Sequence, residues 1–177
     1  MAHINSLQAG IFSYLDIYTG ADDISGHDDV IEFKNLFNSG VTDIVRMPSV
    51  REFPSVGTPA NIVNVPVYGQ KTSSQVQGQA DAPSLEITVN YVPYDMVAFH
   101  NLIGQTVAFR FLMSEKSLTL AESTAANIED GNTHFYFRGK IEAILVNPQL
   151  TDATTATVTL SAQSDFFGPD TFAPATP

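Results

Sequence analysis

The most regular hydrophobic pattern in the chain lies over residues 84–92. Leu85, Ile87, Val89 and Tyr91 alternate with Glu86, Thr88, Asn90 and Val92. A period of two predicts a strand with one apolar face and one more polar face. The same period returns further along. Over 106–113, Val107, Phe109, Phe111 and Met113 alternate with Ala108, Arg110 and Leu112. Over 133–146, Phe135, Phe137, Ile141 and Leu145 share a phase that also contains Gly139, a place for a bulge or a close backbone approach. Over 155–163, Ala156, Val158, Leu160 and Ala162 oppose Thr155, Thr157, Thr159 and Ser161. The polar face of 84–92 carries no group that suggests a reaction.

The period changes over 93–104. Met96, Phe99, Leu102 and Ile103 form one stripe at helical spacing. Pro93 suits the first helical position, Asp95 suits the positive helix end, and Gly104 supplies a stop. This predicts a helix about 16 Å long at 1.5 Å per residue. Upstream, β-formers over 10–18 predict a strand, and 19–30 is an Asp-, Gly- and Ser-rich loop. Residues 30–40 suit a short helix ended by Gly40, and 41–53 a strand broken by Pro48. Residues 62–69 are β-rich but contain Pro66, which fits an edge strand or an arm. Residues 48–61 and 114–132 read as long loops, and 168–177 as an extended arm kept out of a sheet by its prolines. The expectation is a single domain over 1–177, mainly antiparallel β, with 1–40 as its N-terminal segment.

Composition narrows the function. The chain has 177 residues, 44% of them hydrophobic, enough for a proper core. Its net charge is −11, and the acids are front-loaded: Asp16, Asp22, Asp23, Asp28, Asp29, Glu32 and Asp43 face Lys34 alone in residues 1–45. A basic footprint that grips nucleic acid is missing from such a sequence. The acidity serves solubility or sets up a field that repels polyanions. Cysteine is absent, so disulfides and thiolate metal sites are excluded. Residues 1–10 have neither the basic nor the apolar region of a secretory signal, and no apolar run approaches membrane-spanning length. Synthesis in a cytoplasm and no membrane partner are expected.

Candidate chemistry is sparse. His27, Asp28 and Asp29, with Asp22 and Asp23, are an acidic surface loop or a cation site. The calcium-loop spacing fails, because the twelfth position from Asp22 is Phe33. His100 and Asp95 are five apart, so they do not share a helix face, and His3 and His134 have no evident partner. No nucleophile elbow, phosphate loop or dinucleotide fingerprint occurs. Arg110, Arg138 and Lys140 alternate with aromatics, which suits base stacking or, better, cross-strand pairing with Glu86 or Glu142. No catalytic, cofactor or metal site is expected. A β scaffold with long arms and no reactive centre suggests assembly.

Taken in order, several segments carry a resemblance. They are YGQKTSSQVQGQADAPSLEITVNYVPYD with its helix, then VAFRF, then NTHFYFRGKI, then TATVTLSAQSDFFGP. Together, over residues 65–169, they resemble the tail tube (major tail) proteins of long-tailed, non-contractile phages. Residues 1–64 match only in kind. The resemblance implies two packed antiparallel sheets, sandwich- or barrel-like, with one flanking helix, a fold shared with type VI secretion tube proteins. It implies a structural virion protein without enzymatic activity, located in the tail and assembled in the host cytoplasm. Six copies would form a ring, and rings would stack into a hollow tube through which genomic double-stranded DNA passes without tight binding. A tape measure protein inside the tube, and tail terminator and tail-tip proteins at its ends, are the implied partners. No appended immunoglobulin-like domain is expected after the last strand.

Within that picture Asp81, Glu86 and Glu142 are the candidates for facing the lumen. Pro54, Val56, Thr58 and Pro59 are the candidates for contacts between rings. The 114–132 loop is expected to order on assembly. Alternative readings are a type VI secretion-like tube protein, a carbohydrate-binding β-sandwich, and a hydrolase. The second is disfavoured by the absence of Trp.

Overall fold

The computed structural model describes residues 12–38, 42–57, 62–66, 68–69, 74–77, 84–124 and 132–171. In chain order the elements are β1 (Ser13–Tyr18), α1 (Val30–Asn38), β2 (Ile44–Arg46), β3 (Val50–Glu52), β4 (Ile62–Val65), β5 (Ser74–Gln77), β6 (Ser84–Asn90), α2 (Pro93–Asn101), β7 (Thr106–Ser114), α3 (Leu120–Thr124), β8 (Asn132–Asn147), β9 (Thr155–Ala162) and β10 (Phe167–Thr171). The fold is mainly β, and every strand pair is antiparallel.

The strands around the core do not split into two separate sheets. One ladder runs β2-β1-β7-β8-β9-β6-β3, and β10 adds to β8. The ladder curls, so its two halves face each other across one core, in which Leu15 and Ile17 of β1 meet Ile87 and Val89 of β6 and Val158 and Leu160 of β9. Curling gives the two layers of a sandwich with a continuous hydrogen-bonded turn between them. At its centre Phe109 and Phe137 stack at 4.9 Å. β4 and β5 form a separate two-stranded ladder.

The alternating pattern sets which face each strand buries. In β6, Leu85, Ile87 and Val89 are buried while Ser84 and Glu86 are exposed. In β9, Ala156, Val158, Leu160 and Ala162 are buried and the intervening Thr and Ser are half-buried. β7 is buried on both faces because α1 lies outside it: Phe33, Leu36 and Phe37 pack with Tyr18, Ala108 and Tyr136. α2 caps the core with Met96, Phe99 and Leu102, and Ile103 remains 40% exposed.

β8 corrects one expected phase. The bulge falls between Ile141 and Ala143, not at Gly139. It shifts the alternation by one residue, so Ile144 turns to the core and Leu145 is 59% exposed. Gly139 serves the close approach instead: a Cβ there would lie 2.5 Å from the Ser161 carbonyl oxygen.

The expected C-terminal arm also differs. Residues 167–171 pair with β8 as β10, and the rest of the arm lies outside the described residues. A register shift between Phe167 and Asp170 accommodates Pro169 within the ladder. Gly168 has φ of 141°, and a Cβ there would meet the His134 carbonyl oxygen at 2.7 Å, so only glycine fits.

The 48–61 loop begins with order. Val50 pairs with Val89, and Phe53 packs edge-on against Phe111 at 5.1 Å. The 114–132 loop contains α3, started by a capping box: the Thr119 N–H donates to Glu122 Oε2 at 2.7 Å, and the Glu122 N–H to Thr119 Oγ1 at 3.3 Å. Residues 115–124 of this loop reach the domain through hydrogen bonds from Leu118 to Tyr14 and from Arg46 to Leu118, and 125–131 lie outside the described residues.

Candidate assembly surface

The register of three strands builds one outward face. Thr155, Thr157, Thr159 and Ser161 of β9 lie between Asn90, Thr88, Glu86 and Ser84 of β6 on one side and Asn147, Leu145, Ala143 and Lys140 of β8 on the other. Along each strand, a residue next in sequence to a buried one points to the other face, away from the core. The face is hydroxyl-rich, with Glu86 exposed and opposite Thr159. Glu142, at the bulge, accepts a hydrogen bond from Ser161 Oγ. So Glu86 and Glu142 share this face on opposite sides of β9, and Lys140 joins them. Asp81, the third lumen candidate, lies outside the described residues.

The same strands leave sheet edge open. β8 pairs with β7 only as far as Lys140, opposite Thr106. Beyond it, the turn after α2 meets Ile141: Ile103 bridges to it, and the Gly104 N–H donates to its carbonyl at 2.9 Å. Among the described residues, 142–147 has no strand partner on that side. This edge reads Glu-Ala-Ile-Leu-Val-Asn, without Pro or Lys, and Leu145 and Val146 are 59% and 38% exposed. At the far side of the face, β3 covers only Thr88 and Val89 of β6. Among the described residues, the edge of β6 over 84–87 is unpaired there too.

The ring-contact candidates sit elsewhere. Pro54 and Val56 are half-buried and line an apolar cleft with Leu15, Leu85 and Phe111, so they belong partly to the core. Thr58 and Pro59 lie outside the described residues.

Arg46, Arg110 and Arg138 are tied to the domain's own oxygens. Arg110 does not meet Glu86 or Glu142; its NH2 group is 2.5 Å from Asp16 Oδ2, and both side chains are fully buried. Arg138 donates to the Ile24 and Ser25 carbonyls and anchors the acidic 19–29 loop. In that loop the Tyr18 hydroxyl donates to Asp22 at 2.5 Å, which, with burial, raises the phenol to about 12. Asp23 accepts from the Ser25 N–H, which lowers its carboxyl. Among the described residues no group of His, Asp or Glu has the geometry to hold a metal, and no helix is long and apolar enough to cross a membrane. His134 is buried beneath α1, and burial, then Arg110, then Lys34, lower its pKa well below 6.5.

No family model and no curated protein match the sequence. A comparison of folds does find likeness. A chain of the SPP1 tail tube, solved by solid-state NMR and cryo-EM, superposes with a TM-score of 0.51 over 88% of this chain and 77% of that one, at 12% identity. The two chains share a fold. The likeness extends over most of the ladder, although 12% identity carries nothing residue by residue.

Proposed function

We propose that the chain is the subunit of a phage tail tube, a structural protein without enzymatic activity. The observation that carries this reading is the outward β6-β9-β8 face with an open strand edge at each side. An edge of one kind meeting an edge of another is a head-to-tail contact, and head-to-tail contacts form a ring when the rotation between successive copies closes. β8 residues 142–147 of one copy would pair beside β6 and β3 of the next. Ring closure would remove the exposed edges that are a hazard in a monomer. Six copies per ring, and rings stacked into a hollow tube, follow the resemblance carried by the sequence segments.

In such a ring the hydroxyl-rich face lines the lumen. Threonine and serine hydroxyls hold water and offer no cationic grip. Duplex DNA carries a negative charge about every 1.7 Å of axis, and each phosphate neutralised by protein strengthens binding through counterion release. A lumen bearing Glu86 and Glu142, with Lys140 as the opposing charge, lets DNA pass with little affinity. A tape measure protein would occupy the lumen first, and terminator and tip proteins would cap the ends. The protein would then reside in the virion tail. Electron microscopy of the purified protein tests this: rings or tubes are expected, and a monodisperse monomer at high concentration contradicts it.

A further inference from the structure

We propose that residues 115–124 form a strap that opens from the folded β-domain as a unit, with the Asp16–Arg46–Arg110 cluster as its latch. The inference rests on the fold and is independent of the tube reading. Asp16 of β1 lies between two arginines on the outer side of the sheet. Arg46 of β2 approaches it with Nε at 2.7 Å from Oδ1 and NH2 at 3.2 Å from Oδ2. Arg110 of β7 approaches with NH2 at 2.5 Å. Two guanidiniums on one carboxylate leave donors over, and the strap takes them. Arg46 NH1 donates to the Leu118 carbonyl at 2.6 Å, and its NH2 to Ser123 Oγ at 2.6 Å. Arg110 NH1 donates to the Ser123 carbonyl at 2.9 Å. Tyr14, whose ring lies 4.1 Å beneath the Arg46 guanidinium, accepts the Leu118 N–H at 3.0 Å.

The strap is held by these polar contacts more than by apolar burial. Over 115–123, only Leu118 and Ser123 are buried, and Leu120 is half-buried. The elements beneath it close their own ladders without it: Asp16 pairs with Arg46 and with Arg110 in backbone register. Closing the strap withdraws charges from water, and the desolvation cost nearly cancels their mutual attraction. Opening returns water to the arginines and exposes little apolar surface. Segments with few buried apolar contacts open below the free energy of global unfolding. Away from the arginines a helix as short as α3 is marginal in water, so the hydrogen bond from the Ser123 N–H to the Thr119 carbonyl opens with the strap. Open, the strap uncovers Arg46 and Arg110, two of the eight basic residues in the chain.

Native-state hydrogen exchange tests the latch. The amides of Leu118 and Ser123, bonded to the Tyr14 hydroxyl and the Thr119 carbonyl, are the reporters. They should exchange at least tenfold faster than amides of β7, β8 and β9, at a rate unchanged by low denaturant. Ser123→Ala removes the hydroxyl that both arginines share and should speed the Leu118 reporter roughly tenfold, a hydrogen-bond-sized effect, leaving the strand amides as they were. Tyr14→Phe, which removes one contact to the Leu118 N–H, should act in the same direction if Ser123→Ala does not fold. The proposal is overturned if the reporters in the unaltered protein exchange only with the strands and with the same denaturant dependence. It is equally overturned if the substitutions speed strap and strand amides alike.

Discussion

Val89 and Thr88 are adjacent in β6 and should respond in opposite ways to the same new charge. Val89 is fully buried, opposite Val50 on one side and Ala156 on the other. Val89→Asp forfeits the burial of a valine, about 1.5–3 kcal/mol. It also places a carboxyl among apolar side chains, where leaving a polar group unpaired costs at least about 1–3 kcal/mol even if it stays protonated. The sum, roughly 2.5–6 kcal/mol, is a large share of the whole stability of a typical domain, about 5–15 kcal/mol. Thr88 points the other way, half-buried on the outward face, opposite Thr157 and Glu52. Thr88→Asp therefore meets one like charge directly across the strand pair, a penalty of about 0.2–1 kcal/mol. Urea unfolding followed by circular dichroism reads both. Thr88→Asp should give a midpoint slightly below that of the unaltered protein, and Val89→Asp little or no cooperative transition. Equal losses for the two, or a normal midpoint for Val89→Asp, would refute the assigned strand phase and the core built on it.

Three further expectations concern the surface and the titrating groups. Leu145→Lys puts a charge beside the open β8 edge; the monomer should keep its stability within about 0.5 kcal/mol, yet sedimentation should show assembly lost, and normal assembly would remove that edge from the interface. Stability should be full above pH 6.5 and fall as pH drops below it, because His134 binds its proton more readily unfolded than folded. The groups set around His134 are Arg110 of β7, Lys34 of α1 and Asp170 of β10, the last two paired at 3.1 Å. His134→Gln should flatten this acid limb, and an unchanged limb would show that other groups produce it. The unaltered protein should not bind duplex DNA even at low salt, where screening is weakest; tight binding would contradict the proposed lumen.

The strands of the ladder were legible where one face is apolar. Leu85, Ile87 and Val89, and Ala156, Val158 and Leu160, point inward as their period requires. α2 was legible from Met96, Phe99 and Leu102, which reach the core from one stripe. Periodicity failed where register changed: nothing in the run of Ile141 to Leu145 signals that a bulge intervenes, so Leu145 was assigned to the wrong face. It failed again at β10, where a prolyl segment enters the ladder through a register shift. α3 did have a local signal, Thr119 followed three residues later by Glu122, and it was missed within a polar loop. The Asp16–Arg46–Arg110 cluster had none, since its members are separated by 30 and 94 residues and meet only because β1 lies between β2 and β7. Glu86 and Glu142 were named as lumen candidates through the resemblance, and it is the register of β6, β9 and β8 that sets them on either side of β9, while Pro54 and Val56 line an apolar cleft of the domain.

A cryo-EM reconstruction of the assembled protein tests the central claim most directly. The account predicts a closed ring in which residues 142–147 of β8 hydrogen-bond to the β6 and β3 edge of the next copy, with Glu86, Thr157 and Thr159 facing the channel. An assembly in which that β8 edge meets solvent and the threonine face lies on the outside of the tube would contradict it.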